Sequence, residues 1–411
     1  MNMDKNNLHR RTLLLSGAGG AATSLLAGQS LAMGTQIESK TMDVYQALGV
    51  RKLINAAGTI TALGGSLMPP EVLAAWNAAA TSFVNLAELQ DRVGERIASL
   101  IGVEAALVTT GAAGSIVLGT AAALTRRERG FVDQLPLSPD LDLQVIRQKS
   151  HRQCYDHQVK SCGVRLVDVE TRDDLLRAIN ARTVMMFAYN IHEQDGLIKH
   201  SEWIDIARRN AIPTLLDAAA DTPPAQTLSE FNRLGFDLVA FSGGKAIRGP
   251  QNAGLLLGRK DLIELAKLNT SPRCGTIGRC MKVSKEDMVA MWAAVDRFVK
   301  LDHQAETIEW EHRIATIENS LRDIRTVVTR RIVPPIANRV PHLLIHWDEQ
   351  QIKITPEQLK QSLADGDPSI VTARVHGTGD TGFLISVFML QSNEEKIVAQ
   401  RLAEILRGAA A

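Results

Sequence analysis

Residues 241–254 read Phe241-Ser242-Gly243-Gly244-Lys245-Ala246-Ile247-Arg248-Gly249-Pro250-Gln251-Asn252-Ala253-Gly254. A buried-type strand, Leu238–Phe241, runs into Ser-Gly-Gly, where small residues let the backbone approach a ligand closely, and then presents a lysine. A lysine amine forms a Schiff base with an aldehyde, and a desolvated setting keeps it nucleophilic. On its own the stretch equally describes a surface lysine in a glycine turn. The flanking segments decide between the two.

Upstream, Thr214-Leu215-Leu216-Asp217 is a hydrophobic strand whose C-terminal end carries a carboxylate, the place where open α/β sheets gather their ligands. An aspartate beside a pyridinium nitrogen keeps that nitrogen protonated and makes the ring an electron sink. The same carboxylate would serve as a helix N-cap, and Asp221 competes for either role. Further upstream, the strand Ala105–Thr109 leads through Thr110-Gly111-Ala112-Ala113-Gly114-Ser115 into an Ala-rich helix. Exposed N–H groups at such a helix start cradle a dianionic phosphate. The turn is neither a P-loop, since no Gly-Lys-Ser/Thr follows, nor GxGxxG, and in isolation it is a tight strand–helix connection. Phosphate cradle, acidic strand end and Schiff-base lysine, in that order, are the parts needed to hold pyridoxal 5′-phosphate (PLP).

Between and around these parts, strand and helix signals alternate. Strands are expected at Val145–Ile146, Arg165–Val169 and Val184–Tyr189, with helices at Tyr155–Cys162, Asp173–Asn180 and Ser201–Asn210. That alternation is the pattern of an α/β fold, a mainly parallel sheet covered by helices. Beyond about residue 260 the character changes. One long helical stretch, Ser284–Ile324, is followed by strands Arg325–Val333 and Leu343–Trp347 and by the helix Pro356–Ala364. A strand pair around Ile370–Val375 and Phe383–Phe388 and a closing helix Glu394–Leu406 complete a smaller α+β domain.

Composition narrows the function classes. Across 411 residues, 46 Lys+Arg nearly cancel 45 Asp+Glu, so no global basic field points to nucleic acid or an anionic membrane. Cys154, Cys162, Cys274 and Cys280 show no CxxC spacing and no disulfide framework, so no metal site is expected, and Cys274 and Cys280 read as free buried thiols. At the N-terminus, Arg10-Arg11 precede a mild Gly/Ala-rich apolar run ending in Ser30-Leu31-Ala32, a small-x-small cleavage pattern. The run is too weak for a spanning helix and resembles a twin-arginine export signal, which implies a soluble periplasmic protein without stable membrane insertion.

Asn55-Ala56-Ala57-Gly58-Thr59, Leu216-Asp217-Ala218-Ala219-Ala220, the lysine segment 242–250 and Ile277-Gly278-Arg279-Cys280-Met281-Lys282-Val283 resemble the selenocysteine synthase-like branch of the fold-type I PLP-dependent transferases. Within it the pattern is nearest to the ammonia-lyase members, and the likeness runs from about residue 43 to the C-terminus. The resemblance implies a seven-stranded-type sheet in a large domain (76–275) preceded by an arm (33–75) and followed by the small domain (276–411), residues 1–32 being the leader. It implies that Lys245 carries the cofactor, that Asp217 meets the pyridine nitrogen, and that Ser242 with Thr110, Gly111, Ala112 and Ala113 holds the phosphate. His151, by itself a solvated loop histidine, would place its imidazole over the cofactor ring. Arg374 would clamp a substrate carboxylate, Arg279 would approach a substrate phosphate or carboxylate, also from across a subunit interface, and Asn55 would lie with the substrate.

Two departures from the family pattern matter. An export leader stands where selenocysteine synthases carry a tRNA-binding region, so no nucleic-acid partner is expected. Leu124–Val145, with Pro136 and Pro139, reads as an inserted loop at the entrance. The implied reaction is α-proton abstraction and β-elimination on a small amino acid or amino sugar acid, of the ammonia-lyase type. Racemisation or epimerisation, selenium transfer or amino transfer, and an inactive PLP-binding scaffold remain as alternatives. Sites of this fold type are completed by neighbouring subunits, which implies a homodimer or larger homo-oligomer.

Overall fold

The computed structural model describes residues 43–373 and 382–410. The expected leader with Arg10 and Arg11, and Arg374, lie outside the described residues. The short helix Val44–Ala47, capped by Asp43, belongs to a unit ending at Val50, and the chain from Arg51 onward is a second unit.

The second unit is built on twelve strands among the described residues: β1 (Leu53–Ala56), β2 (Ala105–Thr109), β3 (Gln144–Gln148), β4 (Arg165–Val169), β5 (Thr183–Tyr189) and β6 (Thr214–Asp217), then β7 (Leu238–Ser242), β8 (Gly254–Gly258), β9 (Val328–Ile332), β10 (His342–His346), β11 (Ser369–Thr372) and β12 (Phe383–Ser386). Seven of them form the central sheet in the order β2-β8-β7-β6-β5-β3-β4. Strands β3 to β7 pair in parallel, while β8 runs antiparallel to both β2 and β7. The mainly parallel seven-stranded α/β sheet is thus as expected. Strands β5, β6 and β8 are buried along their whole length, as continuous apolar runs are when helices cover both faces of a sheet.

The helix Gly111–Arg127 lies on this sheet and is rich in Gly and Ala for a packing reason. At Gly119 a Cβ would come within 3.0 Å of Leu215 Cδ2, so the helix approaches too closely for larger side chains there. The helix Leu86–Ile101 is held in the same way, since a Cβ at Gly94 would meet the carbonyl oxygen of Ala106 at 2.4 Å. In register, Tyr189, Asp217 and Ala240 stand side by side, so the C-terminal ends of β5 and β6 open on one edge of the sheet.

Three expectations are corrected. The stretch Ser284–Ile324 is two helices, Lys285–Lys300 and His303–Leu321. Asp302 breaks it by accepting the N–H groups of Gln304 and Ala305, both at 3.0 Å, which starts a new helix inside an apolar period that reads as continuous. The segments near 370 and 383 are not a strand pair. β11 pairs in parallel with β1 (Leu53 opposite Ser369), β12 joins β10 and β9 in an antiparallel sheet, and a single bridge, Ala373 to Leu384, links the two. The partner of β11 comes from the far end of the chain, which no local pattern announces. Finally, Cys162 alone is a buried thiol, its pKa pushed up to about 12 by burial, whereas Cys154, Cys274 and Cys280 are exposed. No helix among the described residues is long and apolar enough to cross a membrane.

Candidate active site

Asp217 is the last residue of β6 and is 8% exposed. Its Oδ1 accepts the N–H of Ala219 at 2.9 Å. Burial pushes its pKa up to about 6, a rise that the Ala219 bond and the charge of Lys245 oppose and that of Asp221 reinforces. Lys245 follows β7 in a turn that folds back on itself. Gly243 N donates to Ala253 O at 2.8 Å, Gly249 N to Gly243 O at 2.9 Å and Arg248 N to Lys245 O at 3.0 Å. The turn admits no side chain at its first two positions: a Cβ at Gly243 would sit 2.5 Å from Met291 Sδ, and one at Gly244 2.5 Å from Gln251 Cα.

Burial holds the Lys245 amine below its usual pKa, against the pull of Asp217 and Asp221. No described residue hydrogen-bonds or ion-pairs with it. A desolvated, unengaged amine beside two carboxylates is the condition under which lysine serves as a nucleophile.

The two carboxylates are not equivalent. Asp221 Oδ1 accepts from Asn190 Nδ2 at 2.7 Å and from Ala337 N at 3.2 Å, and Asn190 Oδ1 meets His200 Nε2 at 2.9 Å. Asp221 is therefore engaged in a network that ties the loop after β6 to the segment 334–340. Asp217 keeps a single backbone partner at the strand end, so it is the one available to a ligand.

The third part lies beside these two. Thr109, Gly254 and Ser242 are register neighbours across β2, β8 and β7. A Cβ at Gly254 would lie 2.4 Å from the carbonyl carbon of Gly111, so the helix start is pressed onto the strand that borders Ser242. Gly111 has φ +67°, which suits glycine, and its Cβ direction faces open space. Thr109 Oγ1 bonds Gly111 O at 2.9 Å and Ser115 Oγ at 2.7 Å, fixing the turn. Thr110 provides no side-chain cap, so the N–H groups of Gly111, Ala112 and Ala113 are left for another acceptor. Ser242 Oγ hydrogen-bonds no described residue. An uncapped helix start with a free hydroxyl beside it suits a phosphate, an unengaged lysine suits an aldehyde, and a buried carboxylate suits a protonated ring nitrogen. These donors fit PLP.

His151 follows β3 and is fully buried rather than a solvated loop histidine. Its Nδ1 accepts the N–H of Tyr189 at 3.2 Å, which puts the ring hydrogen on Nε2. Burial lowers its pKa to about 4, so the imidazole is neutral at physiological pH. Asn55 spends its side chain on its own turn: Oδ1 accepts from Ala57 N and Gly58 N at 3.0 and 3.1 Å, and Nδ2 donates to Gly58 O at 3.0 Å. Arg279 is exposed in a short turn after Gly278, and its side chain has no hydrogen bond or ion pair with a described residue.

Sequence reasoning passed over one cluster that holds the site together. Arg147, buried in β3, contacts Asp156 and donates from Nε to Asp168 Oδ1 at 3.0 Å. Arg152 Nε also reaches Asp168, at 2.9 Å, and Tyr189 donates its hydroxyl hydrogen to Asp156 Oδ1 at 3.2 Å. These bonds pin the loop that carries His151. The available signal was an arginine inside an apolar strand, which only a buried acidic partner can accommodate.

Comparison with known proteins agrees with this geometry. Residues 158–340 match the SelA family, L-seryl-tRNA selenium transferase. The chain is similar to D-glucosaminate-6-phosphate ammonia lyase of Salmonella typhimurium, 28% identical over 90% of this chain and 100% of the relative. A solved structure of D-glucosaminate-6-phosphate ammonia-lyase superposes with a TM-score of 0.77 at 26% identity, covering 90% of this chain and all of that one. A structure of serine palmitoyltransferase (SPT) with PLP shares the fold alone, with a TM-score of 0.53 at 14% identity over 87% of this chain and 88% of that chain. The fold is that of the fold-type I PLP-dependent enzymes.

Proposed function

We propose that this protein is a PLP-dependent lyase acting on a small amino acid or amino sugar acid. It removes the α-proton and expels a β-substituent, and the released enamine hydrolyses to a 2-oxo acid and ammonia. The observation that carries the reading is that Asp217 ends β6 and Lys245 lies in the turn after β7, on adjacent strands paired Asp217 to Ala240, with each charge bearing on the other group. Similarity to an ammonia lyase along that protein's whole length supports it.

When bound, PLP supplies an aldehyde that captures amines and a ring that accepts an electron pair. Lys245 Nζ would hold that aldehyde. Unbound from the aldehyde, Lys245 Nζ would be the base that takes the Cα proton and hands it to the departing group, which would leave as water when it is a hydroxyl. Asp217, ionised above about pH 6, would accept a hydrogen bond from the ring nitrogen and keep it protonated. The N–H groups of residues 111–113 and Ser242 Oγ fix the phosphate, and the helix dipole adds to the attraction. His151, buried and neutral, adds no positive charge to the site.

The proposal extends to assembly and location: a symmetric homo-oligomer, exported folded and cofactor-loaded by the twin-arginine route, with no tRNA substrate. The test begins with borohydride, which should fix the cofactor onto Lys245 in a peptide map. A screen of D- and L-amino acids and amino sugar acids should then find 2-oxo acid release. Lys245→Ala should lose the cofactor colour and, by the usual weight of a positioned base, on the order of a thousandfold in turnover. Turnover retained by Lys245→Ala would overturn the mechanism, and racemisation without 2-oxo acid would overturn the elimination.

A further inference from the structure

Beside the cofactor residues stands an arginine that no role described so far uses. The segment 333–340 reads Val333-Pro334-Pro335-Ile336-Ala337-Asn338-Arg339-Val340. It is tied to the loop after β6 at two adjacent points: Ala337 N donates to Asp221 Oδ1 at 3.2 Å, and Asn338 N to Ala220 O at 2.7 Å. Thr59, in the turn that Asn55 braces, donates to Asn338 Oδ1 at 3.5 Å. Ala337 and Asn338 both hold left-handed backbone, with φ of +53° and +44°. Two consecutive non-glycine residues in that region persist only where surrounding bonds impose it. The result is a rigid bracket on Ala220 and Asp221, just past Asp217, and Arg339 is the next residue along.

We infer that Arg339 is a substrate-binding arginine that holds an oxyanion, carboxylate or phosphate, of the molecule processed at Lys245. The inference rests on the lyase reading above and deepens it. Arg339 is exposed and has no hydrogen bond or ion pair with a described residue. Its charge nevertheless bears on Asp221, as that of Lys245 does. No hydrogen bond or ion pair joins Asp221 to Arg339; the Asp221 Oδ1 serves Asn190 and Ala337 instead. A free guanidinium on a loop braced against residues 220 and 221 has the fork geometry that receives a planar carboxylate or a phosphate by two parallel bonds. An amino acid or amino sugar acid brings at least one such group.

Calorimetric titration of the PLP-loaded protein with three amine-free probes tests this without turnover: D-glycerate, glycerol 3-phosphate and 3-phospho-D-glycerate. The parent should bind at least one of them. Arg339→Gln should weaken that probe about tenfold or more, the loss typical of a charge-assisted bond, and Arg339→Lys should weaken it less. A loss confined to D-glycerate assigns Arg339 to a carboxylate, and a loss confined to glycerol 3-phosphate assigns it to a phosphate. Unchanged binding of all three by Arg339→Gln, or a parent that binds none, would overturn the inference while the borohydride result on Lys245 stands. A protein that takes up no PLP would instead defeat the lyase reading, and this inference with it.

Discussion

Replacing Asp217 by Asn separates the cost of the site from its use. In the cofactor-free protein the carboxyl is buried and its pKa stands near 6, against 3.8 for the free side chain. A raised acid pKa means that the fold disfavours the charged form. Stability is therefore whole below the unfolded value and is lost as pH rises from about 4 through about 6. Holding the charged carboxylate in the fold accordingly costs ~3 kcal/mol above that window. Asn has the same shape and keeps an oxygen to accept from Ala219 N, but it carries no charge. Urea unfolding of cofactor-free Asp217→Asn should thus show a gain of about 2–3 kcal/mol near pH 7.5, shrinking below about 1 kcal/mol near pH 4. The order should reverse with PLP bound, since the pyridinium then gives the Asp217 charge a partner that Asn cannot match. The variant should accordingly gain less stability from PLP than the parent and turn over far more slowly. Loss of stability in the cofactor-free variant near pH 7.5, or an offset equal at both pH values, would refute the argument.

Two further substitutions probe the frame. Arg147→Met leaves Asp156 and Asp168 without the guanidinium they share and should cost about 3–5 kcal/mol in urea unfolding, with part recovered by Arg147→Lys; a cost under about 1 kcal/mol would mean the cluster is dispensable. Gly254→Ala drives a methyl group into the Gly111 backbone and should weaken PLP retention by about tenfold or more while circular dichroism is unchanged; parent-like retention would show that the cradle does not depend on this contact.

What could be read before folding follows the range of the interactions involved. Lys245, Asp217 and the 110–115 turn are each announced locally, because a ligand at a strand end needs small residues, a charge or free N–H groups at that point in the chain. Their order along an alternating α/β pattern then brings them to one edge. The strand β8 is not announced: Gly254-Leu255-Leu256-Leu257-Gly258 looks like a continuation of the lysine loop until its antiparallel register with both β2 and β7 is seen. The break at Asp302 hides because a capping aspartate and a solvent-facing aspartate are the same letter in an amphipathic run. Asn55 is ambiguous for a related reason, since a polar residue in a glycine-rich turn serves a ligand or the turn itself, and its bonds with Ala57 and Gly58, which brace the turn, emerge only in the fold. Arg339 is the extreme case. Nothing near it in sequence marks a site, and its claim arises only because Ala337 and Asn338 bond to residues 220 and 221, which lie far back along the chain. Residues that make the chemistry are legible where the chain itself must change shape to make room for a ligand. Residues that choose the substrate come from distant loops, and the fold alone supplies their address.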